Sequence, residues 1–247
     1  MGETQHPLHL LTKALNLRVQ LSDADRDAIL ALPVRVRTLE HSTYLTREGD
    51  LPENCAVLTS GYAYRHKLTG DGRRQIISIH IPGEALDFQH LYLDVADHSV
   101  QMLSRGDVAF LSRADLRNLA RERPAIASAI TVGILVDSSI FREWVLNVGR
   151  RDARSRMAHL LCEFAVRLEA LNLAGTSSYE LPITQEQLAD ALGMTPVHVN
   201  RTLKGLADAG LITRTRRSIT IPEWDRLRDV GDFNPRYLHL ERQLAAA

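Results

Sequence analysis

Between Leu192 and Pro196 one helical pattern stops and another starts with almost no chain to spare. Thr184-Gln185-Glu186-Gln187 has the capping-box spacing of a helix start, a threonine followed by glutamine three residues on, and Leu188, Ala189 and Leu192 give that helix one apolar face. Gly193 ends it. Thr195 then offers a second cap, with Pro196 at the first helical position, where a missing N–H costs nothing. In the second helix Val199, Leu203 and Leu206 recur at i, i+4 and i+7 and point inward. Val197, Asn200, Arg201 and Lys204 share the opposite face, with His198 at its flank. Two helices joined so tightly form a helix-turn-helix, in which Ala189 is small at the crossing and Val199 plugs the contact.

Gly210 closes the second helix, and Leu211-Ile212 to Ile219-Thr220-Ile221 reads as a hairpin tipped by Arg214, Arg216 and Arg217. Residues 195–220 carry five Lys or Arg and one Asp, a local charge of +4 in a chain whose 30 basic and 30 acidic residues cancel. A phosphate backbone is met by such a patch, not by whole-chain charge. Arginine can donate twice to guanine, asparagine can pair with adenine, and lysine can meet phosphate. The residues expected at double-stranded DNA are therefore Thr195, Pro196, Val197, His198, Asn200, Arg201 and Lys204 on the helix, with Arg214, Arg216 and Arg217 on the hairpin. A winged helix that binds a protein from a non-enzymatic β-roll scaffold is the alternative, and it has less need of the +4 patch.

Upstream the pattern has three parts. Residues 7–32 read as short helices, the second capped by Ser22. From Val34 to Leu111, short β-branched runs alternate with turns, as in Val34-Arg35-Val36, Thr69-Gly70-Asp71-Gly72 and the alternation Ile77, Ile79, Ile81; a β sandwich or roll is expected. After a short helix at 114–122, Pro124 opens a long one to about Gly149. Its stripe of Ile126, Ile130, Ile134, Phe141, Val145 and Val148, interrupted by Asp137 and Ser138, suits a parallel dimer seam or packing on its own β domain. The basic cluster Arg150, Arg151, Arg154 and Arg156, a source of phosphate contacts, precedes a helix over 153–171 and a polar loop over 174–179.

Other chemistries find little support. No apolar run reaches the ~18 residues needed to cross a bilayer, and the first residues are polar, so a cytoplasmic protein with no membrane partner is expected. Cys55 and Cys162 are too few for a four-thiolate zinc site or an iron–sulfur cluster within one chain, and each reads as buried core. His66, His80, His90 and His98 contain neither a His-x-His pair nor a helical His-x-x-x-His pair, so no metal or other cofactor is expected. A cupin-like metal enzyme would need that His-x-His pair, but His80 is followed by Ile81-Pro82. With no nucleophile elbow or phosphate loop either, the chain is expected not to be an enzyme.

A β roll, a long helix and a winged helix-turn-helix in this order resemble the CRP/FNR superfamily of bacterial transcription regulators over nearly the whole chain. The most specific parts are Leu188 to Leu203, with Ser60-Gly61-Tyr62 and Pro82-Gly83-Glu84 in the roll. The implied class is α+β. Residues 1–123 would form a β-roll sensor domain (a double-stranded β-helix of the cyclic-nucleotide-binding kind), 124–149 a dimerisation helix, and 150–247 a winged helix-turn-helix. The resemblance further implies a homodimer on a two-fold symmetric DNA site, contact with RNA polymerase, and a small-molecule effector of unidentified kind. Arg201 matches the arginine that reads the half-site in the founding members. Val197 stands where they carry glutamate and Asn200 where they carry glycine or serine, so their operators do not transfer. In the cyclic-nucleotide cassette the Gly-Glu-Leu positions are Asp87-Phe88-Gln89 and the Arg-Ser positions His98-Ser99. The phosphate-neutralising arginine is missing and Asp87 adds negative charge, so these five residues mark the effector pocket while arguing against cyclic AMP.

Overall fold

The computed structural model describes residues 6–215 and 217–240. Two short helices, α1 (His9–Arg18) and α2 (Asp23–Leu30), open the chain, α2 with the capping box at Ser22. Seven strands follow: β1 (Val34–Leu39), β2 (Tyr44–Thr46), β3 (Asn54–Leu58), β4 (Ala63–Leu68), β5 (Arg74–His80), β6 (Ser99–Met102) and β7 (Gly106–Ser112). They form two sheets, ordered β1-β7-β3 and β2-β6-β4-β5. Then come α3 (Arg113–Glu122), α4 (Pro124–Arg150) and α5 (Ala153–Ala170). The final segment contains β8 (Ser178–Glu180), α6 (Gln185–Leu192), α7 (Pro196–Asp208), β9 (Thr213–Arg214), β10 (Ser218–Thr220) and α8 (Trp224–Val230). The class is α+β, as expected.

Contacts divide the chain into two compact units. One comprises residues up to Lys67 with Ile79–Asp137; the other comprises Leu68–Ser78 with Ser138–His239. In the first unit β3 is buried on both faces, which is why it reads as a continuous apolar run. Ala56 and Leu58 meet Val100, Met102 and Val108 between the sheets, while Cys55 and Val57 join Leu11, Leu15, Phe88, Leu116 and Ile130 under the helices. Cys55 and Cys162 are both core residues, and burial raises both thiol pKa values, that of Cys162 to about 12.

Several details differ from the sequence expectation. In β5 it is Ile76 that is fully buried while Ile77 is half-buried, because Ser78 and His80 also turn inward and the strand has no polar outer face. β1 is an edge strand, and Val36 on it is exposed. Ile126 and Ile130, placed in the candidate dimer seam, are core residues of their own unit, so the first turns of α4 pack on the β domain. Farther along, Leu135 and Val145 are 61% and 74% exposed, with Leu146 beside them. α4 is also long and apolar enough to cross a membrane by length and composition alone. The sequence reading passed over it because Asp137 and the serines break any uninterrupted run.

Candidate nucleic-acid interface

The second unit is built from its caps outward. Thr184 accepts from the Gln187 N–H while the Gln187 side chain accepts from the Thr184 N–H, so α6 starts at the capping box. Gly193 has φ 61°, the left-handed conformation that glycine adopts without strain, and there the chain reverses. The Thr195 hydroxyl accepts from the His198 N–H, with Pro196 at the first position of α7. Val199, Leu203 and Leu206 are buried with Leu188, Ala189 and Leu192. Burial of three such aliphatic side chains contributes on the order of 5 kcal/mol toward holding α7 in place.

The opposite face is open. Val197 is 80% exposed, Thr195, Pro196, Asn200, Arg201 and Lys204 are exposed, and His198 is half-buried. The side chains of Asn200, Arg201 and Lys204 make no hydrogen bond or ion pair to other described residues. A helix face with three unengaged polar side chains, anchored by an apolar stripe behind, has the form of a groove reader.

The hairpin is a three-stranded sheet, β8-β10-β9, not the expected two strands. The loop assigned to 174–179 contributes β8, which pairs Tyr179 with Ile219. Tyr179 donates its hydroxyl hydrogen to the Leu161 carbonyl at 2.7 Å and ties the sheet to α5. At the tip the Thr215 hydroxyl accepts from the Arg217 and Ser218 N–H groups. Arg214 and Arg217 project into solvent, and Arg216 lies outside the described residues. The basic cluster after α4 splits in two. Arg150 and Arg154 are exposed, whereas Arg151 pairs with Glu143 at 2.7 Å and Arg156 donates to the Leu192 carbonyl. Arg151 and Arg156 therefore serve the fold rather than phosphate.

Of the five effector-pocket residues of the first unit, Asp87, Phe88 and His98 are buried and Gln89 and Ser99 are half-buried. The Asp87 carboxylate is buried and accepts from the Ala56 N–H at 3.0 Å; burial raises its pKa to about 7. Phe88 belongs to the core under the helices, and the Ser99 hydroxyl accepts from the Glu48 N–H at 3.1 Å. His98 is buried with Nδ1 2.6 Å from Asp97, Gln89 is half-buried, and His90, which the sequence reading passed over, stacks beside His98 at 6.2 Å. Burial lowers the pKa of both imidazoles, that of His90 to about 4. Arg65 was also missed. It is buried, donates to the Leu86 carbonyl at 2.9 Å and 2.6 Å, and pairs with Asp137 of α4. Among the described residues no group of three or more His, Cys, Asp or Glu is placed to hold a metal ion.

Residues 36–123 match the cyclic nucleotide-binding domain family, and residues 155–230 match the Crp-like helix-turn-helix domain family. The chain is 28% identical over 201 residues to the nitrogen fixation regulation protein FixK of Rhizobium meliloti (strain 1021), covering 80% of this chain and 88% of that protein. It is 28% identical over 192 residues to the transcriptional activator protein FnrL of Cereibacter sphaeroides, covering 74% and 75%. Among solved structures, FixK2 from Bradyrhizobium japonicum superposes with a TM-score of 0.73 at 23% identity, over 81% of this chain and 98% of that one. The two matched domains in this order, these relatives and the exposed polar face of α7 place the chain in the CRP/FNR family of DNA-binding transcription regulators.

Proposed function

We propose that the protein acts as a cytoplasmic homodimer, two copies joined along α4, that reads a two-fold symmetric duplex with one α7 in each half-site. In this reading 1–123 is the sensor domain, 124–149 the dimerisation helix and 150–247 the DNA-binding domain. The observation that carries it is the two-sided α7, with Val199, Leu203 and Leu206 buried and Asn200, Arg201 and Lys204 exposed and unengaged. The exposed apolar residues of α4, Leu135, Val145 and Leu146, support a second copy as their cover rather than lipid, since Asp137, Arg142 and Glu143 interrupt them. Thr195, Pro196, Val197 and His198 line the entry of α7, while Arg214, Arg216 and Arg217 meet the backbone beside the groove. Contact with RNA polymerase completes the regulator, and no catalytic step belongs to it.

Half-sites about one helical turn, ~34 Å, apart suit such a dimer. Arg201→Ala is expected to cost roughly 1 to 3 kcal/mol and relax preference at one base pair. Arg217→Ala is expected to weaken every sequence alike and flatten the salt dependence. Binding-site selection with salt titrations separates the two outcomes, and equal loss of specificity from both changes contradicts the assignment.

The effector of this reading is not cyclic AMP. At the positions that the resemblance assigns to the cyclic phosphate, Asp87 puts a buried acid and His98 a buried imidazole of lowered pKa, and the nearby Arg65 guanidinium is already engaged by the Leu86 carbonyl and Asp137. Calorimetric titration is expected to show no micromolar binding of cyclic AMP; a saturable micromolar isotherm overturns this.

A further inference from the structure

The chain does not end with the wing. After β10, α8 and a 3₁₀ turn over Pro235–Leu238 return it to α5. Gly231 lies so close to that helix that a Cβ there would sit 2.8 Å from the His159 nitrogen and 3.0 Å from the Ala158 carbonyl carbon. His159 donates from Nδ1 to the Gly231 carbonyl at 3.1 Å, and its ring packs between Phe233 and Tyr237.

Below this stack is Glu163, fully buried. It accepts from the Tyr237 hydroxyl at 2.8 Å, from Arg167 at 2.9 Å and from the Trp144 indole of α4 at 3.1 Å. One carboxylate thus joins α4, α5 and the returning segment. Replacing a buried ion pair of this kind by apolar packing often leaves stability unchanged or improved, so global stability alone does not account for Glu163.

The second link runs toward the helix-turn-helix. Arg151, at the corner between α4 and α5, donates to the Asp232 carbonyl and carboxylate at 3.2 Å and 3.3 Å. The Arg151 carbonyl accepts from Arg156 at 3.0 Å, and the other arm of Arg156 donates to the carbonyl of Leu192, the last residue of α6. A Cβ on Gly193 would lie 3.3 Å from Val148 of α4. Side chains therefore connect the returning segment to the turn that sets α7.

We propose that Gly231–Leu238 is a strap that fixes the helix-turn-helix to the last turns of α4, with Glu163, Tyr237 and Gly231 as positioning residues that make the dimer selective for one half-site spacing. This rests on the dimeric DNA-binding reading above. Tyr237→Phe removes the hydroxyl that donates to Glu163 and lies 3.1 Å from His159 Nε2, and it keeps the ring stack, so it cuts the Glu163 link with little loss of packing. Gly231→Ala lifts the strap from α5.

The test uses the full chain and duplexes that it selects from a random library, re-made with one or two base pairs added or removed between half-sites. Wild type is expected to prefer its own spacing by about tenfold or more, since each base pair turns one half-site against the other. Tyr237→Phe is expected to reduce that preference to about threefold or less, at unchanged affinity for an isolated half-site, a drop that the loss of one hydrogen bond is ample to supply. Gly231→Ala should do the same or more; where it does not fold, Tyr237→Phe decides. An unchanged spacing preference, or equal loss at every spacing and at the half-site, overturns the strap. Wild type that binds no duplex at low ionic strength overturns the regulator reading itself, a different result from specific binding with indifferent variants.

Discussion

Asp87→Asn is expected to make the protein more stable at pH 8 and to remove the fall in stability that this one carboxyl contributes as pH rises from about 4 to 7. Burial is the main cause: it raises the carboxyl pKa to about 7 from an ordinary 3.8, against the Ala56 N–H, Arg65 and Arg113, which act to lower it. Below about pH 4 the acid is protonated in both the folded and unfolded chain, and folding keeps its full benefit. Between the two pKa values the folded state holds a proton that the unfolded state has released, so stability declines with rising pH until the folded pKa is passed. At ~1.4 kcal/mol per pKa unit the ceiling is about 4 kcal/mol. Asparagine carries no charge, and its carbonyl still accepts from Ala56.

His90 and His159 contribute the opposite slope, because burial lowers both pKa values to about 4. They are neutral in the fold, and that part of stability is lost as pH falls from about 6.5 toward 4. Neither is among the groups that perturb Asp87, so their contribution cancels in the difference between variant and wild type. Urea unfolding of both proteins at pH 5 and pH 8 measures the effect. Parallel stability curves would mean that Asp87 is already ionised in the native state near pH 5.

Gly106→Ala is expected to destabilise the β roll by about 3 kcal/mol and lower Tm by roughly 6 to 12 °C. The added Cβ would lie 2.1 Å from the Ser60 carbonyl oxygen and 2.9 Å from the Gly61 Cα, both backbone atoms. Gly61 is equally confined from the other side, with φ 78° and a Cβ position 2.7 Å from the Arg105 carbonyl oxygen. The two turns cross through positions that tolerate only hydrogen, so relief requires shifting β3 or β7, which pair from Asn54–Ser112 to Leu58–Val108. Gly205→Ala is the control: it is helical, nothing lies within 4 Å of its Cβ position, and about 1 kcal/mol of stabilisation is expected. Thermal unfolding of the two variants should bracket the wild type; a Gly106→Ala protein as stable as wild type would mean that the crossing is open.

Features set by neighbours in the chain were legible in the sequence. The caps at Ser22, Thr184 and Thr195, the turn at Gly193 and the inward stripe Val199, Leu203, Leu206 all depend on residues within a few positions of one another. Features set by distant partners were not. β8 is three residues long and is a strand because β10 lies beside it some 40 residues later. Arg151 looked like part of a phosphate-binding cluster, but one of its partners, Asp232, is 81 residues away. Ile126 and Ile130 fit a dimer seam and a core helix equally well by spacing, and only the β domain beneath them decides which they serve.

The contact between Arg156 and Leu192 bears on how the DNA-reading part can be excised. A fragment cut at the edges of the helix-turn-helix match, 155–230, keeps Arg156 but loses Val148 behind Gly193, the Arg151 carbonyl, and the Trp144 and Tyr237 donors to Glu163. A buried carboxylate stripped of two donors would leave such a piece loosely packed. The smallest continuous fragment that retains these contacts should begin near Ser138 and run through His239, although it gives up the Arg74–Asp190 pair and the Gln75 bond to the Ala191 carbonyl that Leu68–Ser78 supplies to α6.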